Sequence, residues 1–300
     1  MPEGRNQQQA EALWYVASGR AEVRQEPVAA PGPREVQVRA LHSALSRGTE
    51  ALVFAARVPA TEFERMRPPF MAGAFPFPVK YGYAVVGRVE KGPPDLLGRN
   101  VFALHPHQTL FTIPGEAALL LPNGVPPQRG VLAANMETAL NAVWDAAPGP
   151  ADRIAVVGAG VVGSLVAWLC AQLAGAEVTL IDIEPKRKEL AHALGTRFAL
   201  PDAATVECDV VFHASGSSSG LATALRLAGQ EATVVELSWY GDGEIPVALG
   251  GSFHSRRLRL LSSQVGHVAL SHRPRWTHGR RLAAALSLLA DARLDALVAP

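Results

Sequence analysis

Arg153-Ile154-Ala155-Val156-Val157-Gly158-Ala159-Gly160-Val161-Val162-Gly163 is the stretch that decides the fold of this 300-residue chain. The apolar run ending at Val157 reads as a buried strand, and residues 164–174 read as the helix that follows. Between them lies G-x-G-x-x-G, in the strand–turn–helix setting that its chemistry requires. Gly158 allows the tight turn and Gly160 lets a pyrophosphate approach the backbone. Gly163 lets the helix pack close on the strand, and the first helical N–H groups, that of Val162 among them, face the phosphates. The next strand, Glu177–Ile181, runs into Asp182. A carboxylate there accepts hydrogen bonds from both adenosine ribose hydroxyls and repels a 2′-phosphate, so NAD(H) is the expected cofactor. Lys186 and Arg187 follow closely and leave NADP(H) as the alternative, with Arg187 the cation in question.

Working outward, the pattern alternates. A helix over 185–194 stops at Gly195, a strand follows at Cys208–His213, a helix at 220–227 and a strand at 232–237. Residues 136–145 read as a helix before the glycine motif, and 280–290 as an amphipathic helix near the end. Alternating strands and helices predict a parallel sheet with crossover helices. Ligands meet such a sheet at the carboxyl ends of its strands, which selects Ser215 and Gly216 after one strand and Ser238 after the next. Upstream the texture differs: short strands at 12–16, 36–41, 84–89 and 100–104 are broken by Gly and Pro. The expected architecture is α/β, with a strand-rich domain over 1–126 and a doubly wound Rossmann domain over 127–300. Residues 57–78 are irregular and carry Phe63, Phe70, Phe75 and Phe77. They read as a loop packed by its own aromatics, or as a wall for a large apolar substrate.

Composition narrows the function classes. With 48% hydrophobic residues, 18% charged and a net charge of +1, the chain has a core to bury and no basic excess to recruit nucleic acid or an anionic membrane. Cys170 and Cys208 cannot build a disulfide framework, and the N-terminal residues show no apolar signal segment. A soluble, cytoplasmic protein acting on a small molecule is the expectation.

The first domain carries a resemblance. A strand-rich N-terminal domain followed by this dinucleotide unit resembles the medium-chain dehydrogenase/reductase superfamily, the alcohol dehydrogenase-like proteins, over nearly the whole chain. The resemblance implies a GroES-like first domain. Zinc members carry a C-G-T-D-like motif; the matching stretch here is Arg47-Gly48-Thr49-Glu50, with Arg47 in place of the ligand Cys. Their G-H-E-x-x-G motif reads Gly82-Tyr83-Ala84-Val85-Val86-Gly87, with Tyr83 for the ligand His and Ala84 for the Glu. The four-cysteine cluster of many relatives is missing. Zinc needs three or four N, S or O ligands within about 2.0–2.3 Å, so the resemblance implies a member without zinc. The Ser46–Glu50 and His105-Pro106-His107-Gln108 runs are similar to those of the bacteriochlorophyllide a dehydrogenase-like subgroup. Family members return from the dinucleotide domain to finish the first domain, whereas this sequence ends about where that return would begin. Resemblance also implies a homodimer through sheet edges of the second domain.

Four residues are candidates for the chemistry. Thr49 stands where relatives often carry a proton-relaying hydroxyl; otherwise it is a turn Thr bonded to its own backbone. Arg47 could meet developing alkoxide charge, or pair with Glu50. Tyr83 could act as general acid, its pKa lowered by a neighbouring cation, or simply fill space. Glu137 matches a Glu near the active site of some polyol and threonine dehydrogenases, or it lies in a first helical turn. His105 and His107 form an H-x-H without an evident third ligand, and His213 reads as structural. Two function classes follow. One is a zinc-independent NAD(H)-dependent oxidoreductase acting on an alcohol or carbonyl compound, with the Phe-rich segment suggesting an apolar substrate; the other is a non-catalytic dinucleotide-binding protein, a redox sensor or structural partner.

Overall fold

Valines at alternate positions build the first core. In the computed structural model, which describes residues 8–298, Val36 and Val38 of one strand pack against Val85 and Val89 of its neighbour, with Val101, Phe111 and Ile113 closing the cluster. The chain divides into two units, one running up to Ala134 and including Gly241–Gly243, the other formed by Asn135–Tyr240 and the residues from Glu244 onward. The division thus falls later than the expected Pro126, just inside the helix Ala133–Ala146.

The first unit holds two sheets. Strands β1 (Gln8–Ala17), β2 (Arg20–Val28), β4 (Ala72–Gly73) and β5 (Val79–Lys80) form one in the order β2-β1-β5-β4. Strands β3 (Glu35–Ser43), β6 (Val85–Lys91), β7 (Asn100–Ala103), β8 (Leu110–Pro114) and β9 (Leu119–Leu120) form the other in the order β8-β3-β6-β7-β9. The four strands read from the sequence lie within β1, β3, β6 and β7, apart from end residues such as Ala84 and Leu104. Strand β2 is not legible in the sequence, because its half-buried positions hold Glu22, Arg24 and Glu26 while Ala21 and Val23 are exposed. It pairs with β1 through a turn at Gly19, whose φ of 71° favours glycine.

The second unit is one six-stranded sheet. Strands β10 (Arg153–Val157), β11 (Glu177–Ile181), β12 (Arg197–Ala199), β13 (Cys208–His213), β14 (Ala228–Glu236) and β15 (Arg259–Ser262) lie in the order β12-β11-β10-β13-β14-β15. Every neighbouring pair is parallel. The order reverses between β10 and β13, and a crevice at the carboxyl ends of strands is expected at such a switch point. The helix after the glycine motif spans Val161–Cys170 rather than 164–174, because the last residues of the motif supply its first turn. The helix Arg187–Ala193 stops as expected. Gly195 takes φ 77°, its N–H bonding His192 O and that of Thr196 bonding Ala191 O.

Closeness of helix to strand is set at Gly163, where an added Cβ would lie 1.9 Å from the carbonyl oxygen of Gly158. Gly163→Ala must push helix Val161–Cys170 off β10. We expect a loss of about 1–3 kcal/mol or more in urea unfolding, with dinucleotide affinity falling in parallel. Unchanged stability and affinity would contradict this packing.

Candidate active site

The switch point of the second unit is shaped for phosphates. Gly158 has φ 108°, and a Cβ there would lie 2.7 Å from the Ser215 nitrogen, so glycine alone lets the turn pass the end of β13. Gly160 is exposed and has nothing within 4 Å of its Cβ direction, leaving the approach to the helix start open. Val162 is the second residue of that ten-residue helix. Asp182 binds the turn itself: Oδ2 accepts from Ala159 N–H at 2.7 Å and Oδ1 from Glu184 N–H at 2.9 Å. Its carboxylate is therefore fixed beside the glycine loop. Arg187 begins the helix Arg187–Ala193 and the exposed Lys186 precedes it at the N-cap position. Gly216 N–H donates to Ser238 Oγ at 3.1 Å, joining the segments that leave β13 and β14. Backbone donors, an open glycine cradle and a placed carboxylate fit a dinucleotide.

The first unit holds a different constellation, centred on Glu50. This carboxylate is only 2% exposed, yet it meets three donors. Oε2 accepts from the Tyr15 hydroxyl at 2.9 Å and from His107 Nε2 at 2.8 Å, and Oε1 accepts from Ser46 N–H at 2.8 Å. Because a carboxylate only accepts, His107 carries its hydrogen on Nε2, leaving Nδ1 to accept from the Ser43 hydroxyl. Burial, then the charge and hydrogen bond of Glu50, raise the Tyr15 pKa far above the ordinary phenol range. Tyr83 stands at the edge of this network. Burial raises its pKa and the charge of Glu50 adds to that, while hydrogen bonds with the Ser46 and Thr49 side chains pull it back. The structure thus brings Tyr83 and Thr49 together.

Arg47 is placed otherwise than expected. It is exposed on the turn before the helix Thr49–Phe54, does not contribute to the Tyr83 shift, and Glu50 has its three donors elsewhere. No cation makes Tyr83 acidic; burial keeps it protonated. The two histidines of H-x-H also part company. His105 stacks on Phe111 with centroids 3.9 Å apart, its Nδ1 lies 2.8 Å from Pro106 O, and burial lowers its pKa to about 4. Among the described residues, no group of three or more His, Cys, Asp or Glu converges as a metal site would.

Comparison with known proteins gives this geometry a setting. The model of the ketopantoate reductase PanE/ApbA family matches residues 154–232, the run from β10 into β14. No curated protein sequence matches the chain. Among solved structures, a protein described as a zinc-binding dehydrogenase from Sinorhizobium meliloti, bound to NADP, superposes with a TM-score of 0.72 at 19% identity, over 98% of this chain and 96% of that one. L-idonate 5-dehydrogenase from Escherichia coli gives 0.74 at 14% identity, covering 96% and 88%. A thermostable alcohol dehydrogenase from Pyrobaculum aerophilum gives 0.73 at 18%, covering 95% and 90%. The fold is that of the medium-chain dehydrogenases.

On this medium-chain frame Glu137 sits deep in the second unit as half of an ion pair. Arg281 Nε donates to Glu137 Oε1 at 3.0 Å, and the guanidinium also reaches Asn141 Oδ1 at 2.5 Å, His267 O at 3.1 Å and Val265 O. Burial raises the Glu137 pKa against the pull of Arg281. Its role is to hold the 263–269 segment to the helix Ala133–Ala146. Sequence reasoning weighs Glu50 only as a partner of Arg47 and His107 only within H-x-H, and does not name Tyr15, because residues 35 and 57 positions from Glu50 carry no local signal of their meeting. Arg281 is 1% exposed, so Arg281→Met leaves the buried Glu137 carboxylate uncompensated. We expect a stability loss of about 3–5 kcal/mol in urea unfolding. A loss under about 1 kcal/mol would show that the pair does not fasten this segment.

Proposed function

We propose that the chain is a zinc-independent, NAD(H)-dependent oxidoreductase of the medium-chain type, acting on an alcohol or carbonyl compound. The observation that carries the reading is the glycine turn of the second unit with Asp182 bonded to Ala159 N–H at 2.7 Å, a site for a dinucleotide with free ribose hydroxyls. When bound, the nicotinamide supplies or takes the hydride. Gly158, Gly160, Gly163 and Val162 present the backbone to the pyrophosphate, Asp182 accepts from the adenosine ribose, and Ser215, Gly216 and Ser238 receive the other half.

The residues at the zinc-ligand positions do not fit that metal. Arg47 offers a permanently charged guanidinium, Ala84 a methyl group, and the Tyr83 hydroxyl is engaged with Ser46 and Thr49. Proton transfer therefore falls to side chains. In the reducing direction the carbonyl oxygen gains negative charge as its carbon accepts hydride, and Tyr83 meets that charge with its O–H. A raised pKa suits this role. The phenol stays protonated until the oxygen becomes a stronger base than phenolate, and the Ser46 and Thr49 hydroxyls then stabilise the phenolate oxygen. Only the phenolate form can take an alcohol proton, so the protonation state that the raised pKa maintains serves carbonyl reduction. The exposed Leu260 and Leu261 on edge strand β15 support a homodimer joined along that edge.

Turnover of an alcohol and carbonyl panel with NADH or NAD⁺ tests the whole reading; tight binding with no turnover would favour the non-catalytic dinucleotide-binding protein instead. Tyr83→Phe keeps the ring and removes the donor, so kcat should fall about 10²–10³-fold while NADH affinity holds. Full activity in that variant would remove Tyr83 from the chemistry, and loss of wild-type activity on mild chelation would remove zinc independence. Asp182→Asn should narrow the NADH-over-NADPH preference about tenfold or more in binding titrations, a hydrogen bond to a charged group contributing about 1.5–3 kcal/mol. Tighter wild-type binding of NADPH would instead assign the pocket to Arg187 and Lys186.

A further inference from the structure

The second unit contains a buried polar chain that the proton transfer above does not use. His213 ends β13 directly opposite Glu236 of β14. Its Nδ1 lies 2.8 Å from Glu236 Oε2 and its Nε2 lies 2.7 Å from Ser215 Oγ. His213 has 0% exposure, while Ser215 is exposed. Glu236 Oε2 also accepts from the Tyr240 hydroxyl at 3.0 Å, and Oε1 accepts from Ser238 N–H at 2.7 Å. Burial works to raise the Glu236 pKa, but the hydrogen bond from His213, with those from Ser238, holds it below the usual carboxylate range. Burial, then the Glu236 charge, raise the Tyr240 pKa and keep its hydrogen in place. A Cβ at Gly220 would lie 2.0 Å from Ser215 Oγ and 2.7 Å from His213 Nε2, so this arrangement also dictates a glycine in the helix Ser218–Leu227.

The direction of every hydrogen in the chain follows from the carboxylate. Glu236 only accepts, so Nδ1 of His213 carries the hydrogen. With the imidazole in its neutral form, Nε2 is a lone pair and the Ser215 hydroxyl must donate to it. With the Ser215 hydrogen committed to Nε2, a hydrogen shared across the 2.9 Å between Ser215 Oγ and Ser217 Oγ comes from Ser217, whose Oγ also accepts from Gly220 N–H at 3.1 Å and lies 3.4 Å from Ser219 Oγ. The one group Ser215 still offers outward is a lone pair. A serine free to rotate would serve either a donor or an acceptor; this one is restricted to a donor.

We propose that Ser215 is an acceptor of fixed polarity for a hydrogen-bond donor on the nicotinamide-nucleoside half of the dinucleotide, with His213 and Glu236 as the positioning residues that lock it. The proposal rests on the dinucleotide reading. Asp182 assigns the adenosine half to the β10–β12 side, so the β13–β15 side, where Ser215 lies, takes the other nucleoside. That half offers two kinds of donor, the ribose hydroxyls and the carboxamide NH2. A nicotinic-acid analogue replaces the carboxamide by a carboxylate, which presents lone pairs alone and is rejected where the carboxamide is the group being read.

Calorimetric titration of the full chain with NADH, ADP-ribose and the nicotinic-acid analogue of NADH tests this without reference to turnover. Ser215→Ala should weaken NADH binding about three- to tenfold, the range of one net hydrogen bond. Equal weakening of ADP-ribose assigns the contact to the ribose; weakening of NADH alone, with lost discrimination against the nicotinic-acid analogue, assigns it to the carboxamide. Glu236→Gln should weaken NADH in the wild-type background and change nothing further in Ser215→Ala, because it acts through that hydroxyl. Undiminished NADH affinity in Ser215→Ala overturns the proposal while leaving the dinucleotide reading intact. Additive losses in the double variant overturn the locking role of Glu236. A wild-type chain that binds neither NADH nor ADP-ribose overturns the dinucleotide reading, and this proposal with it.

Discussion

A carboxylate taken out of water must be met by donors, and three such carboxylates organise this molecule. Leaving one unpaired costs several kcal/mol, more than most single contacts contribute. Glu50 gathers Tyr15 of β1, Ser46 of the turn and His107 beyond β7; Glu236 gathers His213, Ser238 and Tyr240; Glu137 takes Arg281. Each set joins segments remote in sequence, with the Glu137–Arg281 pair spanning 144 positions. The donors are not interchangeable with apolar packing. They fix which way each neighbouring ring and hydroxyl points, because an acceptor that cannot donate orders every proton behind it.

That ordering bears on the proposed reaction, in which side chains rather than a metal meet the substrate oxygen. A metal polarises oxygen from a point and asks little of neighbouring protons. A tyrosine does so through one hydrogen, which has to be present and aimed. Near Glu50 the phenols are held protonated by burial and by the negative charge, so Tyr83 keeps its hydrogen without needing a cation at its side. An exposed Arg47 fits this electrostatics: drawn into the site, it would lower the phenol pKa and oppose the donor state that the surrounding carboxylate maintains.

Legibility in the sequence followed the range of the interaction. Strands β10, β11 and β13 were read to their end residues because the glycine motif, a local signal, anchors the first of them and apolar runs mark the others. Asp182 could be singled out for the same reason, since a strand end a short distance from the glycine turn is a local signal. Thr49 and Tyr83 are singled out by motif position alone, and their side chains are hydrogen-bonded to each other. Their electrostatic surroundings were not legible. The expected Arg47–Glu50 pair was a guess from adjacency on a turn, whereas the Glu50 partners arrive from other strands. His213 was set aside as an isolated histidine, although it faces Glu236 once β13 and β14 are paired in register. Single residues carry no trace of such pairings until the sheet order is known.

The aromatic segment ahead of Tyr83 completes the argument about proton placement. Phe63 packs on Phe75 at 5.4 Å, Phe75 on Tyr81 at 5.7 Å, and Tyr81 edge-on to Tyr83 at 6.2 Å. Phe70 meets His105, which stacks in turn on Phe111. The rings that a sequence reading takes as a self-packed loop therefore run on into the hydroxyl cluster. Tyr81 gives its hydroxyl to Met66 O at 3.3 Å, so its hydrogen is spent inside the first unit. Apolar surroundings of this kind keep water from competing for the Tyr83 hydroxyl, and they account for burial being the largest cause of its raised pKa. Packing and acid–base behaviour at this tyrosine are one property: the same rings that fix its plane also hold its proton.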